Sequence, residues 1–481
     1  MRRALQYRTG RGLLANSAAL IATSNITALL GYVFWITCAR GFSASTIGLA
    51  STVISAMTLV AILAATGLEP FLTRVLPGAT SEERGGLCST ALVLTAVLSG
   101  VAGVIGALLL PGRVHEAVGT GWLVCLLAAG AAGTALLLVI NAALLGIRRA
   151  ELSLLGNAVG SLARPITVTV ILGLGIVASR DGAAAAHTIL AVWVASLLVS
   201  FGLSLRLLVG ATPGFRFLSG WIWVTRLRRE VAWDHVAMLA GRLPALGLPV
   251  LASAIFPLDE VGYASVALMV SSAFFAVSSS VSNSLLANCA DHPERIRTQT
   301  LRAVRLICAL LIAPVAVTCL LGSQVLGVFG ADYANYRTLL VLLLLAAFPD
   351  AVINVAVAIL RVQRRLVAVA VVSVTGAVIT VGGAVLLWLL MPQLGITGAG
   401  WSTLASGLII ATTISVTMVV IWRYRSRASA RTAGAAGDSA AGEPSLDIAP
   451  LPDISLLAPA VAFASPADES PPASTDPSGR S

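Results

Sequence analysis

The sequence predicts an all-α polytopic membrane protein, with twelve transmembrane helices in two six-helix lobes related by a pseudo-twofold axis along the membrane normal. Three observations carry this: the composition, the recurrence of long apolar runs, and a connector written twice. The 481 residues are 57% hydrophobic and 11% charged, with a mean hydropathy of +0.93. A soluble domain covers itself with about 25% charged residues, so lipid is the implied solvent. Runs of roughly 20 apolar residues recur, each long enough to cross a ~30 Å hydrocarbon core as a helix. Lipid offers backbone groups no partner, and the alternation of a membrane barrel is absent, which leaves helices.

The duplication lies in the connectors. FSASTIGLAS (Phe42 to Ser51) recurs in frame as FPLDEVGYAS (Phe256 to Ser265), which places Gly48 and Gly262 214 positions apart. Val139-Ile140-Asn141 recurs as Val352-Ile353-Asn354, displaced by 213, and arginine pairs follow at Arg148-Arg149 and Arg364-Arg365. A six-helix unit used twice enters the membrane from the same side both times. Its symmetry axis then runs along the membrane normal, with a transport path expected between the halves. The two glycines sit where a missing side chain lets helices approach closely.

The expected spans are 13–38, 47–68, 87–109, 122–145, 152–178, 187–209, 234–256, 262–287, 303–321, 338–360, 366–390 and 398–421. The first follows four arginines, as a signal peptide would, but its apolar run is too long for a cleaved segment and reads as a retained helix. The corresponding organisation is a cytoplasmic N-terminus (1–12), an N-lobe (13–209), a linker (210–233), a C-lobe (234–421) and a disordered cytoplasmic tail (422–481). The tail is rich in Ala, Ser, Pro, Asp and Gly, and its first arginines lie within reach of anionic lipid.

All 31 basic residues are arginines, against 21 acidic ones, for a net charge of +10. Most occupy alternate connections, whereas the opposite set holds only Arg40, Arg113, Arg180 and Arg337. The positive-inside bias then puts both termini in the cytoplasm. The positive balance is a topology signal and gives no reason to expect a nucleic-acid partner. The six cysteines lie in or beside spans without paired spacing, so no disulfide framework, metal site or cofactor is expected.

LLANSAALIATSNITALLGYVFWITCARGFSASTIGLAS at the start, TGLEPFLTRVLP after span 2, and GVFGADYANYRTLLVLL before span 10 resemble Wzx-type oligosaccharide flippases. These belong to the superfamily that also holds MATE exporters and MurJ. The resemblance covers about residues 10–421. It implies a space between the lobes lined mainly by spans 1, 2, 7 and 8. It also implies transport of a polyprenyl-diphosphate-linked glycan to the outer face for surface polysaccharide biosynthesis, with membrane lipids and other polysaccharide-assembly proteins as partners.

Mid-span ionisable groups cost about 2.5–3.5 kcal/mol on insertion scales, so each calls for a reason. Arg164 lies roughly 18 Å into span 5, Arg242 about 12 Å into span 7 at 1.5 Å per residue, and Asp350 sits near the middle of span 10. At the repeat offset these positions face Val378, Ala28 and Leu137, so all three charges break the symmetry and are the better candidates for function. Guanidinium groups bind phosphate bidentately and stay protonated in apolar surroundings, so Arg242 and Arg164 are candidate diphosphate contacts. The opposed expectations are that Arg242 snorkels to the interface and that Arg164 is satisfied by carbonyls freed at Pro165. Asp350, after Pro349, is a candidate for proton or ion coupling, or a protonated or arginine-paired structural aspartate. Asn16, Asn25, Asn283 and Asn288 could meet sugar hydroxyls or bond between helices. Glu69 and Arg74 are candidate gate residues, with Pro70 opposing a simple helix there. Asp234-His235 reads as an interfacial cap.

A glycan polymerase or transferase would need catalytic groups in a large outer loop, and the longest outer connection offers only Asp332. No phosphate loop, metal spacing or catalytic triad occurs, so an enzyme is not expected. The rival transporter is a MATE-like, cation-coupled exporter of small cationic molecules, which would favour acidic mid-span groups. A regulatory scaffold that has lost transport is a third class.

Overall fold

The computed structural model describes residues 27–65, 67–176, 179–212, 228–290, 296–363 and 365–436. The chain divides into two units, Met1–Arg425 and Ser426–Ser481; the first contains the bundle and the described part of the second is helical. The long helices in order are α1 (27–41), α2 (Ala44–Ala64), α3 (Ser81–Leu108), α4 (Thr120–Gly146), α5 (Ala150–Gly173) and α6 (Ala183–Ala211). The second half supplies α7 (Arg228–Ile255), α8 (Leu258–Ala290), α9 (Ile296–Leu320), α10 (Arg337–Val362), α11 (Leu366–Leu390) and α12 (Gly398–Ala436). Among the described residues eleven helices, α2 to α12, are long and apolar enough to cross a membrane. The first expected span is helical from residue 27, and its earlier part lies outside the described residues.

Several boundaries differ from expectation for local reasons. α5 stops at Gly173 rather than 178, where Gly175 takes a left-handed φ of 63°. α7 begins at Arg228, six residues before the expected 234, so Asp234 and His235 lie inside the helix and are no cap. The chain after α2 turns at Gly67 (φ 73°) into a short helix, Leu68–Val75. Pro70 is in its first turn, where a missing N–H costs nothing, so the proline does not oppose the helix as expected. α12 continues past 421 to Ala436, since Arg and Ala sustain helix and no proline interrupts until Pro444. The helix thus runs beyond the expected lobe end at 421; residues 437–481 are outside the described ones.

Helix starts are set by short polar side chains. Ser43 caps α2 by accepting from the Thr46 amide. Thr80 and Glu83 form a reciprocal capping box at α3. α2 is apolar and buried around most of its circumference, as a helix at the centre of a bundle must be. It packs on α3, α4 and α6 of its own lobe and on α7 and α8 of the other.

The repeated connectors meet at this junction. A Cβ on Gly48 would lie 1.8 Å from the Leu258 carbonyl oxygen, and one on Gly262 would lie 2.1 Å from that of Ala44. Each glycine admits the other lobe's backbone, and no larger residue could. One buried cluster spans both lobes here, including Cys38, Ile47, Leu49, Val261 and Ala264. A second cluster, with Leu72, Leu87, Ile140 and Leu208, consists of N-lobe residues alone and lies toward the arginine-rich end.

Candidate functional site

Arg164 projects from α5 toward α6. Its Nε donates to Ser196 Oγ at 2.7 Å, and its guanidinium carbon stands 4.0 Å from the Trp193 ring centroid. Ser196 Oγ donates in turn to the Trp193 carbonyl at 2.7 Å, so its lone pairs are left to receive the arginine. The guanidinium is thus held by a hydroxyl and an aromatic face, and no carbonyl freed at Pro165 is among its partners in the described residues. Nη1 and Nη2 make no hydrogen bond to the described residues.

Trp193 is itself wedged. Phe34 and Trp35 of α1 lie 5.6 Å and 6.3 Å from it, and they pack edge-to-face on each other at 5.4 Å. Phe34 is wholly buried, which fixes the cluster to the lobe. Sequence reasoning missed Trp193 and Ser196. The available signal was an aromatic and a hydroxyl three residues apart on the neighbouring span, which share a helical face.

Arg242 is exposed on α7. It acts across the lobes on Glu69, in the short helix after α2: burial pushes the Glu69 carboxyl above its ordinary value, and Arg242 pulls it back. The short helix that carries Glu69 packs against α7, which carries Arg242. Arg74 lies in the last turn of the same short helix and is exposed.

Asp350 lies on α10, and its Oδ2 accepts from Ser278 Oγ of α8 at 2.8 Å and from Asn354 Nδ2 at 2.7 Å. Asn354 also donates to Ser278 at 3.1 Å. The partners are neutral, so the arginine-paired alternative is not realised. The repeat-related Asn141 instead bonds Ser153 and Asn157 of α5, at 2.7 Å and 3.1 Å. Equivalent asparagines therefore serve different neighbours. Asn16 and Asn25, and the side chains of Asn283 and Asn288, lie outside the described residues.

Contacts between the lobes gather at the connector end. Ser51 Oγ donates to Ser265 Oγ at 2.8 Å, Thr52 Oγ1 to the Pro249 carbonyl at 3.4 Å, and Tyr32 Oη to that of Met269 at 2.9 Å. Two of the few arginines at this end also cross the junction. Arg40 Nε donates to the Val328 carbonyl at 2.8 Å and Arg113 Nη1 to that of Phe256 at 3.3 Å. Val328 follows the short helix Gly322–Gly327 and Phe256 follows α7, and a cation is favoured at a helix C-terminus. The serines were inside the repeated motif, yet their meeting could not be read from spacing alone.

No family model and no curated protein matches this sequence. Solved structures share its fold. An inward-facing multidrug resistance MATE family transporter of the MOP superfamily aligns with a TM-score of 0.63 at 18% identity, covering 88% of this chain and 100% of that one. The lipid II flippase MurJ in an inward closed conformation aligns at 0.64 and 10% identity, covering 83% and 87%. The MATE multidrug transporter DinF-BH, solved as a complex, aligns at 0.59 and 14% identity, covering 86% and 96%. The chain is a multi-pass membrane protein with the fold of these transporters.

Proposed function

Starting from a transporter fold shared by drug exporters and a lipid-linked cargo flippase, we propose that this chain moves a polyprenyl-diphosphate-linked oligosaccharide across the bacterial inner membrane. Movement runs from the arginine-rich, cytoplasmic face to the connector face by rocking of the lobes, and it serves surface polysaccharide assembly. The observation that supports this most is the state of Arg164. A permanent cation sits deep in a span, steadied on one ring face and one hydroxyl, with two terminal nitrogens uncommitted. A charge at that depth is expensive unless it faces an aqueous path or a counter-ion. A diphosphate provides the counter-ion, and the free edge of a guanidinium matches it with parallel N–H donors. Arg242, exposed on α7, makes the earlier encounter in this reading.

The exporter of small cationic molecules remains the second reading, because Asp350 is a mid-span carboxyl with neutral partners. The two differ in the sign of the cargo. In proteoliposomes, Arg164→Gln and Arg242→Gln should each abolish transfer of a labelled polyprenyl-diphosphate oligosaccharide while leaving insertion intact. Normal transfer by both variants, or transport of a cationic dye that needs neither arginine, would favour the exporter.

A further inference from the structure

We propose that Trp193 is a positioning residue for the anion site: its indole face, with Ser196, aims the Nη edge of Arg164 at the cargo's phosphates. The inference rests on the anionic cargo proposed above. An arginine side chain has several rotatable bonds, so an unrestrained guanidinium at this depth would lose much freedom on meeting a ligand. Here two of its three approaches are already occupied. The Trp193 ring covers one face of the guanidinium at 4.0 Å, and Ser196 holds Nε at 2.7 Å. Both contacts come from one face of α6, so they move together. Ser196 passes its own proton to the Trp193 carbonyl, and the guanidinium has no acceptor, so the chain of donors is one-directional. Phe34 and Trp35 block the indole from swinging away. What stays free is the edge that phosphate recognition uses, and a ligand then meets a donor pair that is already aimed.

A purely structural tryptophan makes a different prediction, and a double-mutant cycle separates the two. The probe is inorganic pyrophosphate, titrated onto purified full-length protein in nanodiscs. Trp193→Leu should weaken binding roughly ten-fold, in line with a desolvated cation–π contact. Trp193→Phe, which keeps a ring face, should recover most of the affinity. In the Arg164→Gln background, Trp193→Leu should cause no further loss. Thermal unfolding of each variant checks that the lobe is intact, and Ser196→Ala offers the same cycle if Trp193→Leu does not fold. Equal pyrophosphate affinity in wild type and Arg164→Gln, or no binding to wild type, overturns the anion site itself. Loss of binding in Arg164→Gln together with unchanged affinity in Trp193→Leu, or with additive losses in the double variant, overturns only the role of Trp193.

Discussion

Ser51 and Ser265 share a hydrogen bond of 2.8 Å, and they are 214 positions apart, the spacing of the repeat itself. A residue that bonds its own counterpart must lie at the axis relating the two copies. The reciprocal contacts of Gly48 with Leu258 and of Gly262 with Ala44 flank the same axis. The connector end is therefore closed by symmetry-matched surfaces, which the proposed lobe-rocking cycle would have to separate.

Locking this point should stop transport. A Ser51→Cys/Ser265→Cys variant places two thiols where hydroxyls now touch. Oxidation should halt cargo transfer, and a reductant should restore it. Transfer at the wild-type rate by the cross-linked protein would mean that the contact is a pivot that never opens.

Adding one methyl group at either glycine should be costly. Gly48→Ala and Gly262→Ala each drive a Cβ into a carbonyl that belongs to a packed helix, and overpacking of this kind costs about 1–3 kcal/mol. Both should lower the thermal midpoint in detergent by similar amounts, because the two clashes are equivalent. A large loss for one and none for the other would contradict the matched geometry.

Arg40 and Arg113 should hold the lobes together. Hydrogen bonds from charged donors are worth about 1.5–3 kcal/mol each when buried, and less at these exposed positions. The double alanine variant should expose Cys38, now wholly buried beside the junction. Maleimide labelling of a protein whose only cysteine is Cys38 should rise several-fold, and an unchanged rate would show that the two bonds do not restrain opening.

Asp350 tests as a hub of neutral bonds. Asp350→Asn keeps an acceptor for Ser278 and should preserve the fold, whereas Asp350→Leu strands two donors at about 1–3 kcal/mol. If Asp350→Asn still transports under a proton gradient, proton coupling at this residue is excluded.

Asp181 ties the α5–α6 connection to the start of α2. Its Oδ1 accepts from Ser43, Ser45 and Thr46 at 2.6, 2.9 and 3.3 Å and from the Gly182 amide at 2.8 Å. These donors, Ser43 first, hold the carboxyl below its ordinary value of 3.8. A depressed carboxylate stabilises the fold above its unfolded value, and that contribution is lost as pH falls through the lower folded one. Wild type should unfold at a higher temperature than Asp181→Asn at neutral pH, and the two should converge in strong acid. A gap that persists there would remove the carboxylate from this role.

How much was legible follows from the kind of signal. Spans were visible because lipid imposes length and apolarity locally, and Gly48 and Gly262 because a motif recurred. Arg164 and Asp350 stood out by their cost in a span. Their partners did not, since Trp193, Ser196 and Ser278 are ordinary members of apolar helices until folding brings them alongside. The packing of the short helix that carries Glu69 against α7 was equally hidden, because it depends on the turn at Gly67. The interior positions of Asp234 and His235 were misjudged because a helix can begin in arginine-rich sequence well before lipid begins.

The reciprocal fit of Gly48 and Gly262 also bears on descent. A six-helix fragment carrying the first connector alone has both the notch and the carbonyl that fills it, so it complements another molecule of itself. An ancestor half this length could have worked as a homodimer, and fusing the two genes would then have freed each copy to acquire its own charges.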